Sequence, residues 1–325
     1  FNAVIISNVP IGSGLSSSAS LEIGIATFIE NLYDLNTSGV DKALRCQQSE
    51  HTFVKIPCGI MDQYISAMGK EGHLLLLDCR TNEYQIAPFG NDAESPVIVV
   101  TNSNVKHELS GSEYPDRVRQ CKEATAAIAA IFPEVHALRD ATLKKLEETK
   151  KRSSLSQEAY QRALHVIGEE DRTMNAVRAL KKGDYDTVGK LMTASHRSLQ
   201  HNYEVSCAEL DLLVDAALTV PGVYGSRMTG GGFGGCTVTL VAKKDAQNLK
   251  DHLKKIYPLG ESYEFTPAGG CGKLDIGSTG CSGAFEEDEE SSTLGFDGFL
   301  GPWLLPTTIA VAAATLVAFV LMRKR

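Results

Sequence analysis

AVIISNVPIGSGLSSSASLEIGIATFIENLYDL, residues Ala3–Leu35, changes character twice. Ala3–Val9 is almost continuously apolar and reads as a buried strand. Pro10–Ser20 is a loop of glycine and serine. From Leu21 the apolar residues fall at Leu21, Ile25, Phe28, Ile29 and Leu32, the spacing of a helix stripe. A strand, a Gly/Ser loop and a helix in that order suit a phosphate group. Gly12 and Gly14 let backbone N–H groups approach an anion with no Cβ between them, and the start of the following helix adds partial positive charge. The hydroxyls of Ser16, Ser17 and Ser18 can donate to phosphate oxygens or bind Mg²⁺. No Gly-Lys-Ser/Thr follows, so this is not a Walker A loop, and the glycines do not form G-x-G-x-x-G. A serine-capped helix start is the plainer reading of the same residues.

Two other blocks carry candidate chemistry. In Cys58-Gly59-Ile60-Met61-Asp62-Gln63 a carboxylate stands among apolar residues where a helix is expected to begin. Asp62 is either stabilised there by the helix dipole or is a base for a substrate hydroxyl. Glu50, on the helix expected around Val40–His51, is a second carboxylate able to hold Mg²⁺. Gly225–Cys236, GSRMTGGGFGGC, has six glycines in twelve residues and runs straight into a strand, Cys236–Ala242. It reads as a loop pressed against another backbone or a ligand. His51, His107 and His196 lack any accompanying nucleophile or metal spacing and read as structural or surface residues.

The 325 residues suggest about two domains. A net charge of −8 is a poor match for nucleic acid, whose phosphates require a basic face. None of the eight cysteines forms C-x-x-C, and no Cys/His spacing suits zinc, so reduced thiols are expected. The charge run Lys144–Lys151 reads as a solvated helix face or a loop. Opening on Phe1 in an apolar run, the chain reads as N-terminally truncated. Beyond residue 274 the composition turns to an acidic Gly/Ser linker over 275–298, with an acidic run at Glu286–Glu290. Leu304–Met322 then has no charge, and nineteen residues at about 1.5 Å each nearly match a bilayer core. Trp303 stands at its edge, and Arg323-Lys324-Arg325 follow. A transmembrane tail over 299–325 is expected, anchoring a cytosolic body to an intracellular membrane.

The three blocks, PIGSGLSSSAS, PCGIMDQ and GSRMTGGGFGGC, resemble in sequence and order those of the GHMP kinase superfamily. Within it, NSNVKHELSGSEYPDRVRQC and HRSLQHNYEVSCAELD resemble the galactose-phosphorylating branch. The resemblance covers about Phe1–Leu274. It implies an α+β fold: a partial N-terminal domain like the second domain of ribosomal protein S5 over 1–110, then a helical region and a ferredoxin-like C-terminal domain over 111–274. It further implies ATP-dependent phosphorylation of the anomeric hydroxyl of galactose. Gly12, Gly14, Ser16 and Ser17 would face ATP, and Ser18 and Glu50 would hold Mg²⁺, with Ser17 an alternative. Asp62 would be the catalytic base, and Gly59, Asp62 and Tyr114 would touch the sugar. Rival readings are a kinase for N-acetylgalactosamine or another sugar, or a membrane-tethered sensor without activity. The superfamily's N-terminal signature G-R-x-N-x-x-G-E-H-x-D-Y is absent from these residues. It supplies an arginine and sugar-binding acids, so the 325 residues alone are expected to be inactive.

Overall fold

The computed structural model describes residues 1, 3–7, 9, 15–55, 58–90, 95–105, 113–273 and 320–323. Its first helices are α1 (Ser17–Leu32), α2 (Gly39–Ser49) and α3 (Met61–Met68), with a π-helical turn over Glu50–Val54 continuing α2. Ser38 starts α2 by accepting from the Asp41 backbone N–H, and Asp41 adds negative charge to the first turn. These helices cover strand β1 (His73–Asp78) through Ala43, Ile60, Tyr64, Ile65, Leu75 and Leu77.

The sequence expectations need two corrections here. Ala3–Ser7 form no strand, and Val4, Ile5 and Ile6 are exposed. β1 pairs antiparallel with β2 (Tyr84–Pro88) on one side and parallel with β7 (Val320–Arg323) on the other, which leaves neither edge for the N-terminal run. On α1 the inward residues are Ala19, Ile23, Gly24 and Thr27, while Leu21, Ile25 and Leu32 face outward. Small residues allow α1 to lie close on its neighbours, and Phe28 instead meets the Phe1 ring with centroids 5.1 Å apart.

Strand β3 (Val97–Asn102) is one of the two inner strands of a four-stranded sheet of order β4-β5-β3-β6, with β4 Val223–Met228, β5 Cys236–Val241 and β6 Glu261–Phe265. All six β3 residues are buried. Ile98 and Val100 face one apolar cluster and Val97 and Val99 another, as the period of two requires. This sheet crosses the residue-110 border expected from the sequence.

The helical middle consists of α4 (Glu113–Ala129), α5 (Leu143–Arg152), α6 (Gln157–Leu180), α7 (Tyr185–Ser198) and α8 (Ala208–Leu218), and α9 (Ala246–Ile256) follows β5. Thr142, Ser156 and Asp184 cap α5, α6 and α7 through their side chains. The run Lys144–Lys151 lies on α5, which buries only Leu146 and Thr149, a solvated face as expected.

Among the described residues no helix is long and apolar enough to cross a membrane. The expected span Leu304–Met322 lies outside the described residues up to 319. Its last three residues, Val320–Met322, are hydrogen-bonded in strand β7 and so do not continue a helix. The acidic linker 275–298 also lies outside the described residues.

Candidate active site

The start of α1 and the start of α3 face each other. Ser16, at the N-cap of α1, holds a left-handed conformation (φ 60°, ψ 42°) and makes no capping bond with its side chain. Its hydroxyl is used elsewhere, in a hydrogen bond to Asp62. The plain reading of a serine-capped helix therefore does not hold at Ser16. Ser17 is half-buried and Ser18 exposed at the same helix start, where free N–H groups collect. Gly12 and Gly14 lie outside the described residues.

Asp62 is the second residue of α3, behind Ile60, which has no capping side chain. Burial raises its proton affinity above the usual carboxylate range, against the opposing hydrogen bond from Ser16. A carboxylate present only to stabilise a helix end would sit in water. Asp62 instead pairs with a residue 46 positions away, across the gap between two helix starts. A Cβ added to Gly59 would meet nothing within 4 Å, so packing does not require the glycine there.

Glu50 opens the π-helical turn and is only 4% exposed. Its charge raises the proton affinity of Glu22, after burial as the larger cause. It also raises the Cys58 thiol, again after burial. Glu22 lies one helical turn beyond Ser18, so Glu50 abuts the α1 face that carries Ser18. Among the described residues no three His, Cys, Asp or Glu side chains are grouped to hold a metal. One carboxylate and one hydroxyl nevertheless suit Mg²⁺, which takes few protein ligands and completes its shell with phosphate oxygens and water. The buried, unpartnered Glu22 Oε2 beside Glu50 shows an excess of acceptor oxygen that a cation would balance. Tyr114 stands in the first turn of α4, and its side chain lies outside the described residues.

The glycine-rich block divides into two parts. Val223–Met228 is a strand, which the sequence reading had placed partly in the loop, and Gly230–Gly235 forms the turn. Phe233 N–H donates to Val205 O at 2.7 Å and Gly235 N–H to Val105 O at 3.2 Å. A Cβ on Gly232, at φ +88°, would fall 2.0 Å from Val205 O, so only glycine is accommodated. Segment 202–205 is itself held by two buried arginines that the sequence did not single out. Arg117 Nε donates to Tyr203 O and Nη2 to Glu204 O, both at 2.6 Å. Arg162 donates to Asn202 O, and to Glu204 Oε2 at 2.6 Å.

Also unforeseen is a charged cluster behind this loop. Burial works against an ionised Glu169, but the Arg227, His165 and Arg172 charges and the Ser195 hydroxyl at 2.7 Å hold its carboxyl below the usual range. In helices, charges at spacings of three and four look the same in sequence whether they face water or a neighbour, so no signal separated these from solvated ones.

The family model described as GHMP kinases N terminal domain matches residues 1–70, and GHMP kinases C terminal matches residues 176–259. Galactokinase of Homo sapiens is 51% identical over 257 residues, covering 79% of this chain and 63% of that protein. Galactokinase of Chloroflexus aurantiacus (strain ATCC 29366 / DSM 635 / J-10-fl) is 47% identical over 239 residues, covering 74% of this chain and 60% of its own. The chain thus spans just under two thirds of the curated relatives it matches. The crystal structure of Lactococcus lactis galactokinase complexed with galactose superposes with a TM-score of 0.74 at 30% identity, over 81% of this chain and 68% of that one.

Proposed function

Because the chain belongs to the GHMP kinase family, we propose that it transfers the γ-phosphate of ATP to the anomeric hydroxyl of galactose, giving galactose 1-phosphate. The observation that carries this reading is the hydrogen bond from Ser16 to Asp62. It joins the base to the helix start that would receive the triphosphate, so hydroxyl and phosphate are brought to one point. The similarity to galactokinases, at 51% identity to the human protein, supports galactose as the sugar.

Phosphoryl transfer depends on positioning and charge neutralisation more than on covalent chemistry. The N–H groups at the start of α1, with Gly12, Gly14, Ser16 and Ser17, receive the phosphates. Ser18 and Glu50 hold Mg²⁺, with Ser17 an alternative, and the cation when bound offsets the negative charge of the phosphates. Asp62 takes the proton of the anomeric hydroxyl as the oxygen attacks phosphorus. Its raised proton affinity brings it nearer the working pH, which favours a general base. Gly59 leaves open space beside Asp62, and Tyr114 stands as the second sugar contact. Membrane anchorage through Leu304–Met322 forms no part of this reading.

Asp62→Ala in a chain that also carries the N-terminal signature is expected to lower kcat by about 10²–10⁴, with ATP affinity by calorimetry unchanged. Retention of kcat within a few-fold would reduce Asp62 to a helix-start carboxylate. The 325 residues alone are expected to release no galactose-dependent ADP. N-acetylgalactosamine assayed in parallel separates the nearest rival sugar.

A further inference from the structure

Glu22 enters the reading above only through its surplus acceptor oxygen beside Glu50, yet it also stands next to the residue that follows Asp62. It lies four positions beyond Ser18 on α1, and its carboxylate accepts a hydrogen bond from Gln63, the residue after Asp62. Gln63 is 2% exposed, and its amide nitrogen also lies 3.9 Å from the Cys58 sulfur. This single amide therefore ties α1 both to the segment leading into Gly59 and to the first turn of α3. Cys58 is further held through its carbonyl, which meets Gln47 Nε2 at 3.1 Å and His51 Nε2 at 3.0 Å.

The arrangement is costly. Among the described residues Glu22 Oε2 and Gln63 Oε1 are buried with no partner, and the Glu50 carboxylate lies close to Glu22. Two apolar side chains would fill the same space without unmet acceptors. Buried groups left half-satisfied in a folded protein call for a reason beyond packing.

We propose that Glu22 is a positioning residue: by holding Gln63 it fixes the first turn of α3, so that the Asp62 carboxylate stays opposite Ser16. The proposal rests on the reading of Asp62 as the base. Asp62 is then held twice from the same helix, at its carboxylate by Ser16 and at its backbone through Gln63 by Glu22. Two contacts from α1 itself thus help set its distance from the start of α1, where phosphate is received, beside the packing of α3 on α2.

Hydrogen exchange of the 325-residue chain, read by mass spectrometry without substrate, tests this. Amides 64–67, the first to be hydrogen-bonded in α3, are expected to exchange about tenfold faster in Glu22→Ala and in Gln63→Leu, the scale of one lost hydrogen bond. Glu22→Gln keeps an oxygen that accepts from Gln63, and should stay within about twofold of the unaltered chain. In a chain with the N-terminal signature the first two variants should lower kcat about tenfold at unchanged KM for ATP, and Glu22→Gln should restore it. Unchanged exchange over 64–67 in Gln63→Leu overturns the proposal, and so does a Glu22→Gln variant as damaged as Glu22→Ala. A Glu22→Ala chain that fails to fold exchanges throughout, and Gln63→Leu then decides. Failure of the kinase reading would be recognised separately, as absence of turnover in the unaltered, signature-bearing chain.

Discussion

The imidazole of His196 bridges two elements behind the glycine loop. It is fully buried; its Nδ1 accepts from Met228 N–H at 3.3 Å and its Nε2 lies 3.2 Å from Asp211 Oδ1. Burial, opposed by the Asp211 charge and reinforced by Arg197 and Arg227, holds its pKa down to about 4. In an unfolded chain histidine titrates near about 6.5. The native state therefore declines a proton that the unfolded state accepts. This contribution to stability is whole above about pH 6.5 and is lost as pH falls toward about 4. The thermal midpoint should drop over that interval, and His196→Asn should flatten the drop. An identical slope in both proteins would show that His196 is not the titrating group. At this scale the sequence showed residue types well and partners poorly. Asp62 and Ser16 could be named as candidates because each lay in a distinctive motif. Glu22, Arg117 and Arg162 could not, since their partners are distant in sequence and charged helix residues ordinarily face water. His196, read as structural or surface, is buried, and nothing in the sequence pointed to Met228 or Asp211.

Helix α7 lies on strand β4 at backbone distance. A Cβ on Gly189 would fall 2.0 Å from Tyr224 O, and one on Gly225 would fall 2.0 Å from Gly189 O. Each glycine is thus required by the other. Gly189→Ala should destabilise the protein by about 3 kcal/mol, since neither backbone can withdraw without moving the sheet. Gly231→Ala, where a Cβ meets nothing within 4 Å, should change stability by less than about 0.5 kcal/mol. Urea denaturation of both variants checks the contrast, and equal costs would mean that the α7–β4 contact yields. The same packing explains why β4 was missed. Its Gly225 breaks the apolar pattern of a strand, and the reason for that glycine lies on another helix. β3 and β5 were legible because burial on both faces gives uninterrupted apolar runs. The run Ala3–Val9 has the same composition and forms no strand over its described residues, since composition shows the capacity to pair and not whether a neighbour's edge is free.

The long helix α6, 24 residues, joins two cores. Ala159, Ala163, Val166 and Ile167 pack with α4 and α5, whereas Val177, Ala179 and Leu180 pack under the sheet residues Ile98, Val100 and Leu240. A second tie between these regions runs through Asp78 at the end of β1, which receives both Nη atoms of Arg139 at 2.7 Å. The Arg139 guanidinium holds the Asp78 carboxyl well below the usual carboxylate range. A depressed native pKa stabilises the fold above the unfolded value of about 4 and ceases to do so as pH falls through the native one. Asp78→Asn should therefore cost about 2 kcal/mol at pH 7, the scale of a charge-assisted bidentate pair. Its difference from the unaltered protein should shrink below about pH 4, where urea midpoints measure it; a constant difference would mean that the loss is one of packing. The clusters on the two faces of the four-stranded sheet share a centre that is made early and completed late. β3 lies between strands that begin at Cys236 and Glu261. A ribosome adding roughly 5–20 residues per second delivers the second of these on the order of ten seconds or more after β3, with roughly 160 residues made in between. Until β5 emerges, a strand buried at every residue has no sheet to join, and until β6 emerges one of its edges stays open. The yield of folded protein in a cell is then set by elongation speed and by chaperone cover of the nascent chain, and slow codons between β3 and β6 would lower it without changing a single amino acid.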